Sequence, residues 1–162
     1  MRTTLQNPTE QKLQVLFSDR WQLGDLLEDL ISYMGRAVLV VGTFSTGEEF
    51  LRRLHTLRTR GLVRSAVLYC DMRAAEKTSR LQPLLRSCFD DVNLCRNHSK
   101  VLLLGTPKGN VCVLTSQNTT RGNRMESYIV MLDEHAFGTA YNALLRMEVF
   151  KQWKSTSTCL HS

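Results

Sequence analysis

The chain has 162 residues, 43% of them hydrophobic and 22% charged, and a formal net charge of +6. That length suits one domain able to bury about 70% of its unfolded surface. No apolar run approaches the roughly 20 residues of a membrane-spanning helix, and the start, M-R-T-T-L-Q-N-P-T-E-Q-K, lacks the apolar core of a signal peptide. A cytoplasmic protein is expected, with a single domain over residues 1–153 and a frayed polar tail over residues 154–162. Arginine outnumbers lysine in the basic surplus. Guanidinium forks match phosphate oxygens two at a time. The surplus therefore favours nucleic acid or an anionic membrane surface over a neutral substrate.

Residues 13–17 alternate weakly and predict a short first strand. Residues 19–33 place Leu23, Leu26, Leu27, Leu30 and Ile31 at helical spacing, with Gly35 as the stop. Residues 37–41, A-V-L-V-V, have the continuous pattern of a strand buried on both faces. A polar turn over residues 42–47 opens a second helix, 48–59, with Phe50, Leu51, Leu54 and Leu57 inward. Thr46 is its expected cap, and Glu48 and Glu49 suit the first turn. Residues 63–70 predict the next strand, followed by Asp71. A helix over 75–88 carries Leu81, Leu84 and Leu85, with Pro83 near its first turns or at a kink. Residues 92–95 form a brief strand. Residues 100–104 turn through G-T-P-K-G-N into 111–116, a hairpin. A strand over 128–132 and a closing helix over 134–150 complete the order. That order implies an α/β fold: a mixed β-sheet flanked by helices on both faces.

The chemistry concentrates in residues 97–132. His98 and Lys100 are two apart at the head of an apolar run, and alternate residues of a strand share a face. The run 111–114 delivers Ser116 and Asn118, again two apart, and Glu126 stands just ahead of the third run. If these runs are neighbouring strands, an imidazole, an ammonium, a hydroxyl, a carboxamide and a carboxylate converge. That set suits a phosphate. Arg121 and Arg124 lie in the following loop, where they either steer a nucleic-acid backbone or are solvated charges. Thr43, Phe44 and Ser45 end an earlier strand on what would be the same rim, and Ser45 is a candidate for the substrate groove. The five cysteines are odd in number and follow no C-x-x-C spacing, as buried free thiols would. Cys88, Cys95 and His98 fit no common zinc spacing and lack a fourth ligand, so no metal is expected.

His-x-Lys, then Ser-x-Asn after a hairpin, then Glu ahead of another strand, resembles the phospholipase D superfamily, whose small single-motif nucleases are similar in size. The resemblance is sharpest over residues 97–132 and elsewhere rests on the order of elements. It departs at Gly105, where the family pattern H-x-K-x-x-x-x-D has an aspartate set away from the phosphate. What it implies is a phospholipase D-like fold and a double displacement with no metal or cofactor. One neutral His98 attacks phosphorus to give a phosphohistidine, while a second, protonated His98 supplies the leaving oxygen's proton and later activates water. Lys100 and Asn118 would bind the non-bridging oxygens, and Ser116 would add a hydrogen bond. Glu126 would fix an imidazole tautomer. The family's full site needs two His-x-Lys motifs and this chain has one. The resemblance therefore implies a homodimer sharing one active site.

The expected function is a metal-independent phosphodiesterase acting on nucleic acid, DNA or RNA, as a small homodimeric nuclease. Two alternatives stay open. One is a phospholipid-directed phosphodiesterase with the same chemistry. The other is a non-catalytic module that keeps the fold and binds nucleic acid or protein, a reading that Gly105 admits.

Overall fold

The β-branched run 37–41 lies at the centre of the molecule, where it pairs on both sides and is covered above and below. The structure, a computed structural model, describes residues 4–74 and 79–154. Among these, the strands are β1 Leu13–Ser18, β2 Ala37–Thr43, β3 Val63–Asp71, β4 Asp91–Cys95, β5 Val101–Thr106, β6 Gly109–Thr115, β7 Glu126–Leu132 and β8 Val149–Lys154. They form one eight-stranded sheet in the order β1-β7-β6-β5-β2-β3-β4-β8. β2, β3 and β4 run parallel; every other pairing is antiparallel. The helices are α1 Leu23–Met34, α2 Glu48–Thr59, α3 Gln82–Cys88 and α4 Glu134–Leu145. The α/β architecture read from the sequence, a mixed sheet with helices on both faces, is the one observed.

Each face has its own core. On one, Leu26, Leu27 and Leu30 of α1, Leu51 and Leu54 of α2 and Leu85 of α3 pack on Leu39, Val41, Leu68, Leu102 and Leu104. On the other, Leu144 of α4 packs with Val40, Tyr69, Cys95, Val101, Leu103 and Cys112. Alternate residues of β2 and β5 enter opposite cores, which is why those runs are apolar without a break. Cys88 and Cys95 belong to opposite faces and cannot share an ion.

The structure corrects several sequence expectations. The helix expected over 134–150 stops at Leu145, and Val149–Lys154 becomes β8, antiparallel to β4. Without β8, β4 would leave a row of bare N–H and C=O groups, and pairing that row outweighs continued helix. Lys154, placed in the frayed tail, therefore closes a strand; residues 155–162 lie outside the described residues. The first helix begins at Leu23 rather than residue 19, where the Asp25 carboxylate accepts from Gln22 N at 3.0 Å. Of the helix expected over 75–88, Gln82–Cys88 is observed and residues 75–78 lie outside the described residues. Pro83 occupies its first turn, where a missing N–H costs no helical hydrogen bond. The N-cap of α2 is Gly47, not Thr46. The Thr46 hydroxyl is buried without a hydrogen-bond partner.

Candidate active site

The carboxyl ends of β2, β3, β4 and β6 and the amino ends of β5 and β7 meet at one rim of the sheet. The segment from Arg96 to Lys100 crosses that rim from β4 to β5. Its shape is set by Asn97, which is buried. Asn97 N donates to Asp71 Oδ2 at 2.9 Å, and Asn97 Nδ2 donates to the Tyr69 carbonyl at 3.0 Å. Its Oδ1 accepts from Ser99 N at 2.8 Å and Ser99 Oγ at 2.6 Å. Gly42 makes room for this packing: a Cβ there would stand 2.9 Å from Leu144 Cδ2 and 3.4 Å from Asn97 Nδ2. The result is a rigid hook that exposes His98 to solvent.

Lys100 folds back onto that histidine. Its Nζ donates to the His98 carbonyl at 2.7 Å and lies 3.4 Å from His98 Nδ1. Phe44, just past β2, joins this pair to the next motif. Its ring centroid is 5.4 Å from that of His98, and its N–H donates to Asn118 Oδ1 at 3.2 Å. Thr43 Oγ1 lies 3.3 Å from the same oxygen and donates to the Ser45 carbonyl at 2.8 Å. With Oδ1 turned inward, the Asn118 amide nitrogen keeps both hydrogens for an incoming acceptor. Thr115 N donates to the Lys100 carbonyl at 3.1 Å, so the strand end carrying Ser116 is paired directly with the one carrying Lys100.

Glu126 accepts a hydrogen bond from Ser116 Oγ. Ser116 Oγ in turn accepts from Ser127 N at 3.0 Å. Ser45 contributes its carbonyl oxygen, which also accepts from Thr119 Oγ1 at 3.1 Å. The Arg121 side chain is 83% exposed, with Nε 4.0 Å from Glu49, and Arg124 is exposed as well. The loop bearing these two arginines is locked at its root. Gln22 Nε2 donates to the Gly122 carbonyl at 2.8 Å, and Gln22 Oε1 accepts from Gly122 N and Gln117 Nε2, each at 3.1 Å. Tyr128 OH contacts Gln117 Oε1 at 3.0 Å and the Trp21 carbonyl at 2.8 Å.

Sequence reasoning missed Asp71 and Asn97, which position the histidine without facing the rim. A signal existed: a buried carboxylate ending the apolar strand V-L-Y-C-D needs donors, and Arg73 N just beyond the strand and Asn97 N in the hook supply them. The departure at Gly105 falls at the other end of β5, about 16 Å from Lys100 at roughly 3.3 Å per residue. Burial, with the Cys95 and Asp71 charges adding, pushes the Cys70 thiol up to about 12. Burial chiefly, with Asp71, takes Cys95 to about 11, and burial with Asp133 does the same to Cys112. Among the described residues no three His, Cys, Asp or Glu side chains are grouped to hold a metal ion.

No family model matches the chain, and no curated protein matches it in sequence. Solved structures do. NucT from Helicobacter pylori superposes with a TM-score of 0.61 at 15% identity, covering 84% of this chain and 94% of that one. The polyphosphate kinase from Porphyromonas gingivalis superposes with a TM-score of 0.60 at 16% identity, covering 88% of this chain but 23% of that much longer one. By strand order, helix placement and these two likenesses, the chain has the fold of the phospholipase D superfamily.

Proposed function

We propose that this chain is a phosphodiesterase of nucleic acid that works as a homodimer through a phosphohistidine, without a metal. The observation that carries the reading is the hook: it exposes the His98 imidazole with the Lys100 ammonium 3.4 Å away, on a rim shared with the Asn118 amide. In the proposed reaction, Nε2 of a neutral His98 attacks phosphorus and forms a P–N bond as the P–O bond to the leaving group breaks. The second protomer's protonated His98 gives its proton to that oxygen. It then takes a proton from water, whose attack on phosphorus releases the first imidazole. Lys100 and the free Asn118 amide hydrogens balance charge on the non-bridging oxygens. NucT, a nuclease of the phospholipase D superfamily, supports nucleic acid as the substrate, as does the net charge of +6.

One protomer holds half of this site. The face for a second copy is supported by a row of exposed apolar side chains, Val15, Ile129 and Leu114, directly opposite one another on β1, β7 and β6. Leu13 and Phe17 extend the row, and Phe17 pairs in register with Ser127, whose N–H donates to Ser116. The apolar patch therefore runs up to the site, as an interface that assembles the site should. Among the described residues no helix is long and apolar enough to cross a membrane, and Cys70, Cys88, Cys95 and Cys112 are free thiols, which supports a reducing, cytoplasmic setting.

The test is cleavage of labelled single- and double-stranded DNA and RNA in excess EDTA. Product should form, and His98→Ala should lower turnover at least about 1,000-fold, because both chemical roles are lost. Acid-labile label on His98 after quenching would identify the intermediate. Strict dependence on added magnesium would refute the mechanism.

A further inference from the structure

We propose that Arg96 and Phe150 form a stacking subsite for one unpaired base beside the scissile phosphate, so that the substrate is a single strand; this rests on the nucleic-acid reading above. The site comes from an irregularity in the sheet. Pairing of β4 with β8 steps from Leu94–Lys151 to Cys95–Val149, which leaves Phe150 as an extra, unpaired residue. A bulge of this kind re-aims a side chain and is often found next to a functional site. Here it leaves the phenyl ring 44% exposed, with the Arg96 guanidinium carbon 5.4 Å from the ring centroid.

The Arg96 backbone is tied closely to that of His98. Arg96 is two residues before the imidazole, so the chain between them spans at most about 7 Å. The intervening residue is Asn97, held to Asp71 and Tyr69 by the two hydrogen bonds described above. A phenyl ring layered with a guanidinium offers a base an extended π surface, and the guanidinium N–H groups that do not face the ring are free for the neighbouring phosphate. The strand carries similar chemistry away from the rim. Lys151 Nζ lies 5.4 Å from the Trp153 ring, and Lys151 and Lys154 are exposed. Interleaved aromatics and cations along a groove are what single strands bind, because stacking and phosphate attraction both tolerate any sequence. In a duplex the bases already stack on each other and present no free face.

The probe is a fluorescein-labelled single-stranded DNA 12-mer, read by anisotropy, beside the same strand with its central bases removed. Phe150→Ala and Phe150→Leu should each weaken binding of the intact strand about 5- to 100-fold, and Phe150→Trp should restore it. On the abasic strand, wild type and Phe150→Ala should bind alike. Equal affinity of wild type and Phe150→Ala for the intact strand would overturn the subsite, as would the same loss on the abasic strand or no single-strand binding by wild type. Tight, base-dependent binding without any cleavage would sustain the subsite and sink the hydrolytic reading instead. Unchanged circular dichroism excludes misfolding, and Phe150→Leu keeps the apolar bulk while removing the π face.

Discussion

The two edges of the sheet are built from opposite chemistries. β1, L-Q-V-L-F-S, turns Leu13, Val15 and Phe17 outward at 60%, 57% and 53% exposure and has no charged residue. β8, V-F-K-Q-W-K, alternates aromatics with two lysines and has Arg96 at its side. A bare apolar edge invites association, whereas cations on an edge discourage pairing with another protein strand. On the proposed reading, a second protomer would cover the first flank and a polyanion the second, with the His98 hook between them.

The hardest way to break this division is to charge the apolar flank. Val15→Asp combined with Ile129→Asp should convert a dimer to a monomer in sedimentation velocity and lower turnover about 100-fold or more, since an unpaired charge in an interface costs about 3–5 kcal/mol. Circular dichroism should not change, because both positions are exposed in the protomer. A monomer that cuts at the wild-type rate would end the shared-site model. Alkali should affect both flanks alike. Cys112 lies on β6, toward β1, and Cys95 lies on β4, beside β8. Both thiols sit at about 11 when folded, above the 9.0 of a free thiol. The unfolded chain therefore loses these protons first, and the stability is complete below about pH 9 and lost as pH rises through 11. The urea midpoint should fall between pH 8 and pH 10.5; a flat profile would mean that these thiols are not sealed. The mildest change sharpens the basic flank. Lys151→Ala should reduce the slope of log affinity for single-stranded DNA against log salt by about 1, leaving sedimentation unaltered.

The centre of the sheet was readable because its constraints are local and repeated. The runs that became β2 and β5 are apolar without a break because each face is covered, and the hairpin between β5 and β6 is marked by Pro107 and by Gly109, whose φ of +126° favours glycine. The meeting of His98, Lys100, Ser116 and Asn118 at one rim could be expected from the order of the runs that carry them, although all four stand just outside those strands, in the hook and the turn after β6. β8 could not. Residues 146–148 contain no Gly or Pro to stop a helix, and what draws Val149–Lys154 into the sheet is the open side of β4, more than 50 residues earlier in the chain. Glu126 reaches the same rim, but its hydrogen-bond partner there was not legible. Its distance from Ser116 is set by the fold of an intervening loop, and in the protomer it accepts from that hydroxyl.

That loop is fastened by Gln22 and Trp21, at the doorstep of α1, through Gln117 and Tyr128. A motif block that looks portable in one dimension is thus bolted to the opening third of the protein. Excising residues 91–132, every motif side chain included, would yield a peptide with the right letters and no working geometry. Grafting the rim geometry elsewhere would require bringing that distant clasp along.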